Sequence, residues 1–215
     1  MTQTSQPTRP ALPDGLQDMP IVAILRRMDF DEARRAGEGI AEGGIKVVEV
    51  TMDSPDLMGY FARLQDELPS LTLGVGSVLS VAAAARAIDA AARFLVCPHV
   101  NPDIIRFAAT RDVPVLPGAA TATEVVSAWD AGAAAVKLFP ANILTPDTVR
   151  ALRDPLPHIP LVAVGGIDDG NARAFIDAGA MAVGVGAWLS GTGDVDETTR
   201  RAALLTAAVT NGRLG

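Results

Sequence analysis

Pro20-Ile21-Val22-Ala23-Ile24-Leu25-Arg26-Arg27 decides between the two folds that the chain's periodicity allows. Its apolar part is continuous rather than alternating, as expected of a parallel strand covered on both faces. An open doubly wound sheet normally places a glycine-rich phosphate loop after its first strand. Here two arginines follow and no glycine. The stretch is read as the first stave of a closed barrel.

The same pattern recurs outward from it. β-rich runs fall at residues 20–25, 46–51, 71–75, 93–97, 113–116, 134–139, 160–164 and 181–185. Segments of helical character lie between them, at 31–41, 55–68, 81–92, 102–111, 123–131, 146–153 and 171–178. Asp29, Ser54-Pro55, Asn101-Pro102 and Thr145-Pro146 supply start signals, and Gly43, Gly132 and Gly179 supply stops. Eight such units predict a single compact α/β domain, a (β/α)8 TIM barrel over residues 19–215. Residues 1–18 are expected to form a polar tail, partly disordered or ending in a short turn of helix.

Composition narrows the function. A chain of 215 residues suits one domain, and 49% hydrophobic with only 4% aromatic residues implies a core of Ala, Val, Leu and Ile. A net charge of -7 opposes nucleic acid or an anionic membrane as partner. No apolar run reaches membrane-spanning length, and residues 1–18 lack the features of a signal peptide. The single Cys97 cannot form an internal disulfide and reads as a packed thiol, which suits a reducing, cytoplasmic setting. His99 and His158 have no acidic or cysteine partner at ligand spacing, so no metal site is expected.

Of the 18 basic residues only two, Lys46 and Lys137, are lysines. Lys137 lies within Ala133-Ala134-Ala135-Val136-Lys137-Leu138-Phe139-Pro140, an apolar run in which a cation is costly. Arginine stays charged, whereas a buried lysine can lose its proton and become a nucleophile for a carbonyl. The alternative is a lysine that buries its stem and snorkels. Strand parity puts Glu49, with Val47 and Thr51, on the same barrel interior as Lys137, with Ala135 and Phe139. Lys46 falls on the other parity and reads as solvated. A buried ion pair without chemistry is a poor stabiliser, so the pair reads as an imine-forming amine beside a proton-transferring carboxyl.

Other residues gather at the strand ends. Gly165-Gly166 and Gly186-Ala187 follow the seventh and eighth predicted strands, where barrels often hold phosphate on backbone N–H groups. Tight strand-to-helix turns also use glycine. Arg26 is a candidate anion clamp, and Arg27 reads as a surface charge. Ser77 offers a hydroxyl to a carboxylate or ketone oxygen, or caps a turn. Pro98 and Pro117 shape the wall, and Phe139 packs beside the amine or joins the core.

Together these motifs resemble the class I 2-keto-3-deoxy-6-phosphogluconate (KDPG) aldolase family, which includes the phosphogalactonate and 4-hydroxy-2-oxoglutarate (KHG) aldolases. The resemblance runs from about residue 20 to 189. It rests on Ile24-Leu25-Arg26, Val48-Glu49-Val50-Thr51, Gly74-Val75-Gly76-Ser77-Val78-Leu79, Cys97-Pro98-His99, Leu116-Pro117-Gly118, Val136-Lys137-Leu138-Phe139-Pro140 and Val164-Gly165-Gly166-Ile167. It implies a Schiff base on Lys137, acid/base work by Glu49, and pyruvate contact by Ser77, where the family has threonine. It implies substrate binding by Arg26 and phosphate contact by Gly165, Gly166 and Gly186. It also implies a homotrimer with no metal or organic cofactor.

Three positions depart from the family pattern. Asp53 replaces an arginine that some members use for the pyruvate carboxylate. Ala187 replaces a common serine, removing one hydrogen bond of about 0.5–1.5 kcal/mol to phosphate. Val164 replaces a frequent threonine and, with Ala120-Thr121-Ala122-Thr123-Glu124, leans toward the phosphogalactonate type. The expected activity is reversible cleavage of a 2-keto-3-deoxy-6-phospho sugar acid to pyruvate and glyceraldehyde 3-phosphate. The alternatives are a KHG aldolase giving glyoxylate, a metal-free phosphate-binding isomerase or epimerase, and a non-catalytic binding trimer.

Overall fold

The computed structural model describes residues 9–191 and 193–210. Among them the strands are β1 (Ile21–Leu25), β2 (Val47–Thr51), β3 (Thr72–Gly76), β4 (Leu95–Val96), β5 (Val115–Leu116), β6 (Gly118–Ala119), β7 (Val136–Leu138), β8 (Leu161–Val164) and β9 (Ala182–Val185). The helices are α1 (Phe30–Glu42), α2 (Leu57–Glu67), α3 (Val81–Asp89), α4 (Pro102–Ala109), α5 (Ala122–Asp130), α6 (Pro146–Arg153), α7 (Ala172–Asp177), α8 (Ala187–Ser190) and α9 (Val195–Thr210). All strand pairs are parallel, in the order β5-β4-β3-β2-β1-β9-β8-β7-β6.

The two ends of that order are one stave. β5 and β6 flank Pro117, which has no N–H to give to a ladder. On one side Leu116 O accepts from Cys97 N at 3.1 Å, and on the other Pro117 O accepts from Lys137 N at 2.9 Å. The sheet therefore closes into an eight-staved barrel wrapped by helices, the fold expected from the first strand. The Gly118–Ala119 arm was not among the strand-like runs read from sequence.

The apolar residues divide as parity requires. Val22, Ile24, Val47, Val96, Val162 and Val164 fill the barrel interior, while Val48, Val50, Val136 and Leu138 pack outward beneath the helices. Gly74 lets Phe94 join the interior, since a Cβ there would meet the Phe94 ring at 2.5 Å. Capping follows the local signals. Asp29 and Thr121 form capping boxes with Glu32 and Glu124, and Asn101 caps α4 ahead of Pro102.

Other features also differ from the sequence reading. α3 stops at Asp89 because Ala90 leaves the helix and Ala91 takes a left-handed backbone, φ 64, turning the chain toward β4. α9 is absent from the helices read from sequence, although Thr198, Ala202, Leu205 and Val209 are buried at helical spacing; threonine and alanine blur the apolar stripe. It packs closely on α1, where a Cβ on Gly43 would meet Ala202 Cβ at 2.2 Å. The end of the expected polar tail is also more than a tail. Leu16 is fully buried with the interior cluster, and Arg9 stacks over Trp129 at 3.3 Å from the ring centroid. Residues 1–8 lie outside the described residues.

Leu16 closes the end of the barrel where the strands begin. Leu16→Ala should lower unfolding free energy by about 2–5 kcal/mol, measured by urea denaturation with an unchanged slope.

Candidate active site

Glu49 and Lys137 are polar residues inside an apolar barrel. Their strands bring them there by register: Glu49 sits between Ile24 and Gly74, and Lys137 between Gly118 and Val162. Both are buried, at 1% and 5% exposure. They line one small cavity of ≈ 10 Å³, whose remaining walls include Val22, Ile24, Val96, Leu116 and Val164. The two side chains do not form an ion pair among the described residues, and Glu49 Oε1 has no hydrogen-bond partner. The pairing read from parity is thus a shared cavity and not a salt bridge.

A glycine makes the carboxyl's position possible. A Cβ at Gly76 would sit 1.7 Å from Glu49 Oε1, so the side chain of Glu49 occupies the space a larger residue would take. Burial pushes the Glu49 carboxyl above the ordinary glutamate range. The charges of Lys137 and Arg26 pull it back without cancelling the shift, and Asp53 adds to it. Such a group can carry a proton closer to neutral pH than a solvated glutamate, which suits acid/base work. Lys137 Nζ lies 5.0 Å from the Phe139 ring centroid. Phe139 itself is 39% exposed, so its ring stands near the amine without being buried in the core.

The strand ends form the mouth. Arg26 Nη1 donates to Ser77 Oγ at 3.4 Å, joining the ends of β1 and β3. Ser77 holds φ 58, an uncommon conformation for a residue with a Cβ. Pro98 follows β4, and its backbone crosses Gly118 so closely that a Cβ there would meet Pro98 O at 2.5 Å. Val164 ends β8 on the cavity wall, with Gly184 beside it leaving room for its methyl groups.

Gly165 and Gly166 take φ 108 and 70 after β8, conformations that favour glycine. Asn171 Nδ2 donates to Gly166 O at 2.8 Å and fixes that turn. Gly186 precedes α8, and Ala187 is its exposed first residue. Ser190 Oγ donates to Ile24 O at 3.2 Å, tying α8 back to β1.

The remaining reactive residues stand apart. Cys97 packs outward, and burial, opposed by the Lys137 charge, pushes its thiol up to about 12. His99 is exposed, and His158 is an edge-on neighbour of Trp129 at 6.0 Å between centroids. Among the described residues no cluster of three or more His, Cys, Asp or Glu side chains could hold a metal ion, and no helix is long and apolar enough to cross a membrane. Sequence reading passed over one feature, the Arg27–Asp53 pair. Its Nε–Oδ2 distance is 3.0 Å. The signal was available, since each residue follows the end of one of two adjacent staves.

Known proteins resemble this chain in sequence and in fold. The family model for KDPG and KHG aldolases matches residues 13–202. The 2-dehydro-3-deoxy-6-phosphogalactonate aldolase of Escherichia coli K12 is 35% identical over 86% of this chain and 92% of its own. The 2-dehydro-3-deoxy-phosphogluconate aldolase of Pseudomonas aeruginosa is 32% identical over 80% and 77%. A solved structure described as native KDPGal superposes with a TM-score of 0.85 at 32% identity, covering 88% of this chain and 94% of that one.

The buried carboxyl has a consequence for stability. A folded-state pKa raised above the unfolded one gives stability at low pH that is lost as pH rises through the folded value. Glu49→Gln should therefore be more stable than the wild type at neutral pH. The gain should shrink as pH falls toward about 4.3, the ordinary glutamate value, and be absent below it, in thermal melts across pH.

Proposed function

The chain belongs to the KDPG and KHG aldolase family, class I carbon–carbon lyases, and we propose that it reversibly cleaves a 2-keto-3-deoxy-6-phospho sugar acid to pyruvate and glyceraldehyde 3-phosphate. The observation that carries this reading is the apolar cavity that Lys137 shares with a Glu49 carboxyl bearing an unpartnered oxygen. The amine lone pair of Lys137 attacks the C2 ketone, and loss of water gives an iminium. That cation draws electrons from the C3–C4 bond. As the bond breaks, Glu49 accepts the C4 hydroxyl proton, the aldehyde departs and an enamine remains. Protonation at C3 and hydrolysis release pyruvate and the free amine.

Arg26 and Ser77 hold the pyruvate carboxylate at the mouth, beside Pro98 and Phe139. The turns at Gly165-Gly166 and Gly186-Ala187 take the phosphate on backbone N–H groups. Val164 supplies apolar wall where a hydroxyl would read a substrate hydroxyl, which favours the phosphogalactonate substrate over the phosphogluconate one. Assembly as a homotrimer is part of the same reading, and the exposed apolar Leu79 and Ile143 offer surface for it.

A second reading is cleavage of 4-hydroxy-2-oxoglutarate to pyruvate and glyoxylate. Ala187 favours it, because an exposed alanine offers no hydroxyl to a phosphate. Turnover of the phosphorylated sugar acids against 4-hydroxy-2-oxoglutarate separates the two. A kcat/KM at least about tenfold higher for a phosphorylated substrate is expected, a difference of about 1.4 kcal/mol.

Borohydride in the presence of pyruvate should fix a stable adduct on Lys137, located by peptide mass mapping and absent in Lys137→Ala. Glu49→Gln should lower kcat by about 10²–10⁴-fold. Turnover that survives in Lys137→Ala would reject the imine.

A further inference from the structure

At the mouth, two guanidinium groups address one carboxylate oxygen. Arg27 Nε donates to Asp53 Oδ2 at 3.0 Å, while Arg26 Nη1 makes a longer ion pair with the same oxygen at 3.6 Å and donates to Ser77 Oγ at 3.4 Å. The shorter contact belongs to Arg27. That residue is 76% exposed and holds a left-handed backbone at φ 56, which is costly for a side chain bearing a Cβ. An Arg27 that served only as a solvated charge would gain nothing from that conformation. Asp53 is a standing competitor for Arg26. Burial pushes its carboxyl up, but hydrogen bonds from Thr51 and Arg27 and the charge of Arg26 outweigh this and hold it below its ordinary value.

We propose that Arg27 is a positioning residue: by holding the Asp53 carboxylate, it leaves the Arg26 guanidinium available to the carboxylate of the keto acid. The inference rests on the reading of Arg26 as the clamp for that carboxylate. Without Arg27, Asp53 Oδ2 would turn to Arg26, its other cationic neighbour. The substrate anion would then have to displace an internal one, so binding weakens while the chemistry at Lys137 proceeds at its own rate once saturated. Asp53 alone contributes little while Arg27 occupies it. Arg27 and Asp53 therefore act as a unit, and their substitutions should be strongly non-additive.

The test is reductive trapping of pyruvate by borohydride, read as adduct on Lys137 against pyruvate concentration, in a double-mutant cycle. Arg27→Ala should raise half-saturating pyruvate by roughly three- to fivefold, the scale of a half-exposed ion pair, with the saturated trapping rate unchanged. Asp53→Asn should shift it by about twofold or less, and the double variant should return close to wild type. The Arg27→Ala shift should also shrink in high salt.

Additive shifts, with Asp53→Asn alone tightening pyruvate as much as Arg27→Ala weakens it, would mean a general field effect and overturn the proposal. Arg26→Gln is the control and should weaken pyruvate by roughly tenfold or more. If Arg26→Gln acts and Arg27→Ala is silent, only the proposal falls. If Arg26→Gln is silent while adduct still forms, the clamp reading fails and the proposal with it. No adduct in the wild type would reject the Schiff base and everything built on it.

Discussion

The desolvation of one carboxyl inside a barrel of Val, Ile and Leu is the constraint on which this molecule turns. An ionised carboxylate moved from water into such a space loses several kcal/mol of solvation unless charges or hydrogen bonds replace it. Here Lys137 and Arg26 replace it only in part, and one oxygen of Glu49 is left without a partner. Selection for stability alone would fill the same volume with another valine. The unsatisfied oxygen lies instead against Gly76, on a carboxyl that lines the same cavity as the amine.

Holding that arrangement depends on glycines at close approaches, each with a specific neighbour. Gly76 yields its side-chain space to the Glu49 carboxyl, Gly74 yields to Phe94, and Gly118 to the Pro98 carbonyl. None of these three is needed for a left-handed turn. Their function is steric, and they let side chains and backbone from neighbouring staves enter a barrel that would otherwise be overpacked. Leu16 completes the arrangement as part of the same interior cluster.

The mouth follows a different logic, because its charged groups remain partly in water. Arg26, Arg27, Asp53 and Ser77 come from the ends of three adjacent staves and are connected by contacts of 3.0–3.6 Å. Individually such contacts are weak. Collectively they pair two arginines unequally with one anion, Asp53.

The sequence by itself determined the barrel, the inward parity of Glu49 and Lys137 and the glycine turns at Gly165-Gly166 and Gly186. All of these follow from periodicities of two and 3.6 and from the backbone freedom of glycine at turns. It determined less of α9, whose buried Thr and Ala residues weaken the apolar stripe, and less of Leu16, a single apolar residue in a polar stretch. Tertiary structure alone decided that Glu49 and Lys137 share a cavity without pairing, and that Gly76 makes room for the carboxyl. It alone decided that Asp53 bonds Arg27 more closely than Arg26. Parity fixes the face on which a side chain lies, but distances between staves depend on closure of the whole sheet, which no local stretch encodes.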